Sequence, residues 1–464
     1  MITRLEVDGF KSLRDFAVDL EPFTVLVGPN SAGKSNILDA LALLSRLASQ
    51  PVEEAFKQGR GRSLDQFTRR GGEPGTTIRF AVEVFIHGLD VEAADGKVPN
   101  RYRYEIVLER RVRGSRAEQI LVQHESLRAL SRSEDRWLEA RPQLADCMHH
   151  ADEGHDILKQ TRALARERLV MIADELKDEP YRAPITHTAL AALRNNIGSY
   201  VMKLDLDADD HVRIEELKKL LGLRSTAEVF RLLQLDAARL REPSERIGAG
   251  TLASDASNLP TVLADLSPPV LGEIRADLVS LVPGISSFEV VPEGDSFRID
   301  FEVSGGERLP ARLVSDGTLR LLALLTALRV EPHPSMVAIE EPENGVYPGR
   351  LQRLFGFLRE ATREPGPELP GEPDAEETDT VAAGQPRRAA PPQILLTSHS
   401  PVVLTALRAT PQHLRFIDLV RRDGQLVTRA RTVAQSAGPD RGRTTISLRE
   451  IDALLHTAES EAAE

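Results

Sequence analysis

Along the first fifty residues the apolar and polar positions change rhythm twice. FTVLV (23–27) is an unbroken apolar run, a Gly-rich loop follows, and SNILDALALLSRL then returns apolar residues at helical spacing through Ile37, Leu41 and Leu44. That succession predicts a strand, a loop and an amphipathic helix packed on a sheet. TIRFAVEVFI (77–86) and RYRYEIVLER (101–110) alternate instead, with turn-prone residues between them, and predict antiparallel strands beside the core. From about Asp156 to Leu240 helical spacing dominates, in LKQTRALARERLVMIADELKD and IEELKKLLGLRSTAEVFRLLQLDAARL. A helical arm or lid is expected there, with heptads too short for a long coiled coil. After Ser287, FEVVPEGDSFRIDFEV predicts a hairpin and SDGTLRLLALLTALR a helix with a defined start. MVAIEEPENG and QILLTSHSP predict short apolar strands, and HLRFIDLVRRDGQLVTRARTV a terminal hairpin. No internal repeat is visible.

The 464 residues exceed what one compact core usually holds, so more than one lobe is expected. The fold class expected is α/β: a phosphate-loop head with a mixed sheet and an antiparallel β lobe, carrying an inserted helical arm. Residues 1–150 supply the first half of the head, 151–249 the arm, 250–362 the second half, and 393–464 its C-terminal part. Between them, 363–392 holds seven of the 29 prolines and almost no large apolar side chain. Such a stretch cannot bury enough to offset its ordering entropy and is expected to be a disordered insertion. The single cysteine, Cys147, excludes an intrachain disulfide and fits a reducing cytoplasm. No apolar run is long enough to span a bilayer, so no membrane partner is expected. The net charge of -12 argues against a chain that is basic throughout, yet a local basic patch suffices for DNA.

Four stretches carry chemistry. Gly28, Pro29, Asn30, Ser31, Ala32, Gly33, Lys34 and Ser35 match G-x-x-x-x-G-K-[ST], with Asn36 following. The glycines let backbone N–H groups turn inward on phosphates, Lys34 would reach the β and γ phosphates, and Ser35 would ligate Mg²⁺. MVAIEEPEN offers a strand with Glu340 and Glu341 at its carboxyl end, where parallel sheets place ligands. Glu340 would hold the Mg²⁺ shell and Glu341 would polarise the attacking water. QILLTSHSP ends in His399; a lone histidine is more often structural, but this strand-end position after an acidic pair suits a γ-phosphate sensor. Ser315, Asp316, Gly317 and Thr318 read first as a helix N-cap. Their hydroxyl and N–H groups could also present an anion site to a phosphate on another subunit.

In this order the loop, the SDGT helix start, the EEPEN strand and the SHS strand resemble the ABC-type ATPases of the SMC and RecF-like group. The look is nearest to the ATPase domain of the overcoming-lysogenization-defect (OLD) family. ITRLEVDGFKSL and SDASNLPTVL (254–263) add to the resemblance, which spans about residues 1–60 and 250–430. It implies a head that forms a homodimer, or a higher oligomer, around ATP and Mg²⁺. Gly28–Ser35, Glu340, Glu341 and His399 of one chain would face Ser315 and Gly317 of the other, with Asn344 at the interface. The signature reads SDGT rather than LSGGQ, and Tyr347 stands where relatives often carry His. Gln58 and Gln66 are the candidates for the Q-loop residue. Only about sixty residues follow His399, so any nuclease is expected on a separate chain.

Other clusters weigh less. Cys147, His149, His150, Asp152, Glu153 and His155 match no zinc spacing and read as a surface loop. Arg110, Arg111, Arg421, Arg422, Arg441 and Arg443 read as solvated faces that would track DNA only if they converge. MKLD (202–205) lacks the amide of a guanine-reading motif, so ATP is the expected nucleotide. The leading reading is a DNA-linked ATPase switch with a separate effector, such as a nuclease or toxin, in anti-phage defence. A RecF-like repair ATPase, a transporter nucleotide-binding domain and an ATP-dependent scaffold are the competing readings.

Overall fold

The computed structural model describes residues 1–48, 50–86, 92–93, 96–97, 99–113, 117–151, 230–247, 250–331, 335–363, 391–434 and 444–463. The arm sequences up to residue 229, MKLD, Asp152, Glu153, His155, Arg441, Arg443 and residues 364–390 of the Pro-rich stretch lie outside them.

A seven-stranded sheet forms the centre. Its order is β11 (Phe230–Leu233), β16 (Met336–Glu340), β17 (Gln393–Ser398), β3 (Phe23–Val27), β18 (Leu414–Arg422), β19 (Gln425–Ala434) and β20 (Thr445–Ser447). The first five strands are parallel; β19 turns back antiparallel to β18. FTVLV and QILLTS are buried at every residue, as strands covered on both faces must be. Alternate side chains feed two different cores: Val25, Val337, Ile339 and Leu396 on one face, Leu26, Ala338, Leu395 and Ile417 on the other.

The second core also receives the helix Lys34–Leu47 and a five-stranded antiparallel sheet, ordered β10 (Ala117–Ala129), β9 (Arg101–Arg113), β6 (Thr77–Phe85), β1 (Ile2–Asp8), β2 (Phe16–Asp19). The expected strands at 77–86 and 101–110 are here, but β9 is longer than its alternation suggested and pairs along its length with β10. A third sheet joins β12 (Ser244–Glu245), β14 (Ser296–Val303) and β13 (Ile285–Glu293), with β15 (Arg308–Pro310) on β14. Two short ribbons, β4 (Arg69–Arg70) with β5 (Glu73–Pro74) and β7 (Glu92–Ala93) with β8 (Gly96–Lys97), complete the strands described.

One expectation is corrected. FRLL, placed by periodicity in the helical arm of residues 151–249, is strand β11, paired in parallel with β16. Leu232 packs against one core and Leu233 sits in the other, the two-sided alternation of a strand, here at the edge of the sheet. Tertiary pairing overrides the local helical pattern here. Ser244–Glu245, also inside the expected arm, pairs with β14.

Candidate nucleotide site

The loop Gly28–Ser35 leaves the C-terminal end of β3 and enters the helix Lys34–Leu47. Gly33, at φ +98°, sits in a conformation that L side chains rarely adopt, and a Cβ there would overlap the Thr428 hydroxyl. A Cβ on Gly28 would overlap the Ile417 carbonyl. The loop is clamped from outside: Asn36 Nδ2 donates to Ser12 Oγ at 2.7 Å, Ser12 Oγ and Thr428 Oγ1 lie 2.6 Å apart, and Thr428 Oγ1 donates to the Ala32 carbonyl at 3.0 Å. The G-F-K-S turn and the terminal hairpin thus hold the loop's shape.

Lys34 is buried and gives its ammonium to the carbonyls of Gly28 (2.7 Å) and Pro29 (2.8 Å). Burial lowers its pKa from 10.5 to about 8, only partly offset by Glu341, Glu343 and Glu340. An ammonium whose charge is disfavoured, held only by carbonyls at a Gly-rich loop, suits the phosphates of a nucleoside triphosphate, which would restore that charge.

The acids stand at the neighbouring strand end. Glu340 closes β16, and Glu341 follows at φ +49°, a left-handed conformation costly for a non-glycine residue. Its amide is tied to the Thr397 carbonyl at 2.9 Å. His399 Nδ1 lies 2.9 Å from Glu341 Oε1, and Asn344 Nδ2 donates to Oε2 at 2.7 Å. The structure therefore brings Lys34, Glu341, His399 and Asn344 to one end of the sheet. Glu343, not singled out from sequence, accepts from the Ser398 hydroxyl, while its Oε2 is buried without a hydrogen-bond partner. Burial, with Glu341 nearby, pushes its pKa up.

Three further side chains went unrecognised. Arg60 bridges Asp39 (2.7 Å) and Glu340 (2.9 Å), and Gln234, just past β11, donates to Glu340 Oε2 at 3.1 Å. Asp39, a buried acid in the otherwise apolar run Ile37–Leu44, also takes Lys11 at 2.6 Å; that acid was the available signal. Gln234, rather than Gln58 or Gln66, is the glutamine hydrogen-bonded to Glu340. Gln66 is instead buried and donates to the Phe56 carbonyl at 2.7 Å, a structural role in the Arg60 loop.

Ser315 caps the helix Asp316–Arg329, its Oγ accepting from Thr318 N at 3.3 Å and lying 2.8 Å from Thr318 Oγ1. Asp316 pairs with Arg241. Gly317 packs so closely on Gly345 that a Cβ would overlap the Gly345 carbonyl, so the signature helix abuts the loop after the acids. Among the described residues no hydrogen bond joins this helix start to the phosphate loop. Tyr347 is 72% exposed nearby. Of the C147–D156 cluster, Cys147 is exposed, but His150 is not a loop surface residue: its ring is buried against Asp135 at 2.9 Å. No group of three or more metal-ligating side chains occurs among the described residues. Arg110, Arg111 and Arg422 are paired with Glu118, Glu109 and Asp15.

The family described as "AAA domain, putative AbiEii toxin, Type IV TA system" matches residues 23–405, from β3 past β17. This chain belongs to that family. Over short stretches it is also similar to SMC and OLD proteins. The chain is 41% identical over 66 residues to the structural maintenance of chromosomes protein 1 of Schizosaccharomyces pombe, covering 13% of this chain and 5% of that protein. It is 48% identical over 44 residues to the OLD nuclease of Thermus scotoductus, covering 10% of this chain and 8% of that protein. The chain therefore spans only a small fraction of the curated relatives it matches. Among solved structures, an Smc head bound to the C-winged helix domain of ScpA aligns over 93% of this chain and 98% of that one, with 14% identity and a TM-score of 0.46. An Smc head with coiled coil and joint from Pyrococcus yayanosii covers 99% of both chains, with 16% identity and a TM-score of 0.43. No described helix of this AAA-domain chain is long and apolar enough to cross a membrane.

Proposed function

We propose that the chain hydrolyses ATP to ADP and phosphate, and that two copies close around the nucleotide as a cytoplasmic, DNA-linked switch for a separate effector. The observation that carries this reading is the convergence of Lys34, Glu340, Glu341 and His399 on the C-terminal ends of three adjacent parallel strands. Lys34 neutralises the phosphates. Glu341, oriented by His399 and Asn344, accepts a proton from the attacking water. Ser35 and Glu340 are the residues to hold Mg²⁺, which supplies neutralisation of the β and γ phosphate charge. A partner's Ser315–Thr318 helix start would complete the site with N–H groups and the positive helix end. The Gly317–Gly345 contact gives the loop after Glu341 a direct hold on the surface shown to that partner. The toxin named in the family description and the nuclease named in the OLD relative favour an effector-linked defence role over a repair loader.

The test is steady-state ATP hydrolysis by the purified chain, alone and with single- or double-stranded DNA, with Lys34→Ala as control and mass in solution measured with and without ATP. Turnover that needs Lys34, rises with DNA and accompanies doubling of mass supports the reading. Normal turnover by Lys34→Ala overturns the site, and turnover indifferent to DNA overturns the DNA link.

A further inference from the structure

We propose that Arg60 is a built-in stand-in for the divalent cation: it holds the metal-binding carboxylate in the nucleotide-free chain and must release it before the metal is taken up. The inference rests on the assignment of Ser35 and Glu340 to Mg²⁺ made above.

Those are the two residues the guanidinium joins. Arg60 Nη2 donates to Glu340 Oε1 at 2.9 Å and to the Ser35 carbonyl at 3.3 Å, and Nη1 reaches Glu340 Oε2 at 3.4 Å. Gln234 takes the remaining capacity of Oε2 at 3.1 Å. Both oxygens of Glu340 are therefore engaged before any metal arrives, by a fixed positive charge that pairs well with a planar carboxylate.

The arrangement is also built for release. Arg60 Nε is held separately by Asp39 Oδ1 at 2.7 Å, and Asp39 is buried and steadied by Lys11. The guanidinium is one rigid plane, so it leaves Glu340 by swinging as a unit about the Nε–Asp39 contact. The side chain is 40% exposed, so water is there to receive it. Arg60 lies between Gly59, packed on the Gln66 amide, and Gly61 at φ +87°, a loop with one fixed side and one permissive side. Mg²⁺ requires near-octahedral oxygen ligation and gives up its waters reluctantly. A guanidinium already on Glu340 lowers the metal's apparent affinity by the fraction of chains in which Glu340 is free.

The experiment measures binding, not turnover. A fluorescent ATP analogue is titrated into full-length wild type, Arg60→Met and Arg60→Lys over a range of Mg²⁺, and the series is repeated with Mn²⁺ read by its paramagnetic resonance. In Arg60→Met the metal concentration for half-maximal nucleotide binding should fall about tenfold, the change expected if Glu340 is free in about a tenth of wild-type chains. Arg60→Lys, which keeps charge but loses the bidentate reach, should lie between and carries the test if the Met variant does not fold. An unchanged or higher metal requirement overturns the proposal. So does loss of nucleotide binding at saturating metal, which would make Arg60 part of the nucleotide grip. Wild-type binding without any metal dependence, read before any variant is compared, would instead sink the underlying metal assignment.

Discussion

Two regions of this molecule bury charge, and they do so with opposite outcomes. In the antiparallel lobe Arg101 is fully buried, with Asp135 on Nε (2.7 Å) and Nη2 (2.9 Å) and the Thr3 hydroxyl at 2.9 Å. Burial pushes the Asp135 carboxyl up, but His150 and Arg101 outweigh it and hold it well below the usual range. Glu6, on the same sheet, is likewise raised by burial and brought down to about 2 by Arg103 and Arg4. At the nucleotide end burial wins. Lys34 falls to about 8, Glu343 is pushed up, and Glu343 Oε2 has no hydrogen-bond partner. Glu341 sits beside them in a strained backbone conformation. Glu83 in the lobe is also raised by burial, with its Oε2 lacking a hydrogen-bond partner, so an orphaned carboxylate alone marks no site. At the nucleotide end it coincides with a buried ammonium and a strained Glu341, and that coincidence marks where something else is to bind.

The sharpest break between the regions should come from Glu341→Gln. If its carboxylate is the general base, turnover falls by about 10²- to 10⁴-fold while the unfolding midpoint barely moves. Hydrolysis at the wild-type rate would place the base elsewhere. Asp135→Ala should do the reverse. It strands the Arg101 guanidinium in the core, so urea unfolding should show a loss of about 3–5 kcal/mol, with nucleotide affinity unchanged well below the midpoint. A cost under about 1 kcal/mol would mean water or a shifted side chain compensates Arg101.

What the sequence made legible follows the same division. FTVLV, MVAIE and QILLTS read as core strands because both faces are buried, and the phosphate loop and the Ser315 cap are legible because their geometry is set within a few residues. Strand β11 was not, because four residues inside a helix-rich stretch become a strand only through pairing with β16, about a hundred residues on. The clamps and bridges of the site were hidden for the same reason. Arg60 meets Glu340 across 280 residues, and Thr428 reaches the loop at Ala32 across 396. No local pattern encodes such meetings; only the unusual Asp39 in the apolar run Ile37–Leu44 hinted at one.

The pH response sharpens the comparison further. In the free protein Lys34 loses its proton near pH 8, whereas bound phosphates would hold it charged. Below about pH 8 the ammonium is already present and ATP affinity should be flat with pH. Above it, binding must draw a proton from solution, so affinity should fall by up to about tenfold per pH unit until the unperturbed value is approached. Calorimetry in buffers of different ionisation enthalpy should show proton uptake in that window and none at about pH 7. Proton-independent binding throughout would mean the ammonium is neutral or fully charged in both states.

The smallest effect expected is the most discriminating about why the nucleotide end is left unsatisfied. Glu343 has its folded pKa raised, by burial first, so its folding contribution is fully present below the unfolded carboxylate range and is lost as pH rises through the folded value. Near neutral pH its charge therefore works against the fold. Glu343→Gln keeps an oxygen for the Ser398 hydroxyl and removes the charge beside Glu341. Stability near pH 7 should rise by about 1 kcal/mol and its decline above the unfolded carboxylate range should flatten. If turnover drops at the same time, the chain tolerates a costly carboxylate because the site uses it, as strained active sites commonly do. A destabilised variant would show the opposite: that Glu343, like Asp135, belongs to the satisfied kind and that its bond to Ser398 holds the His399 loop in place.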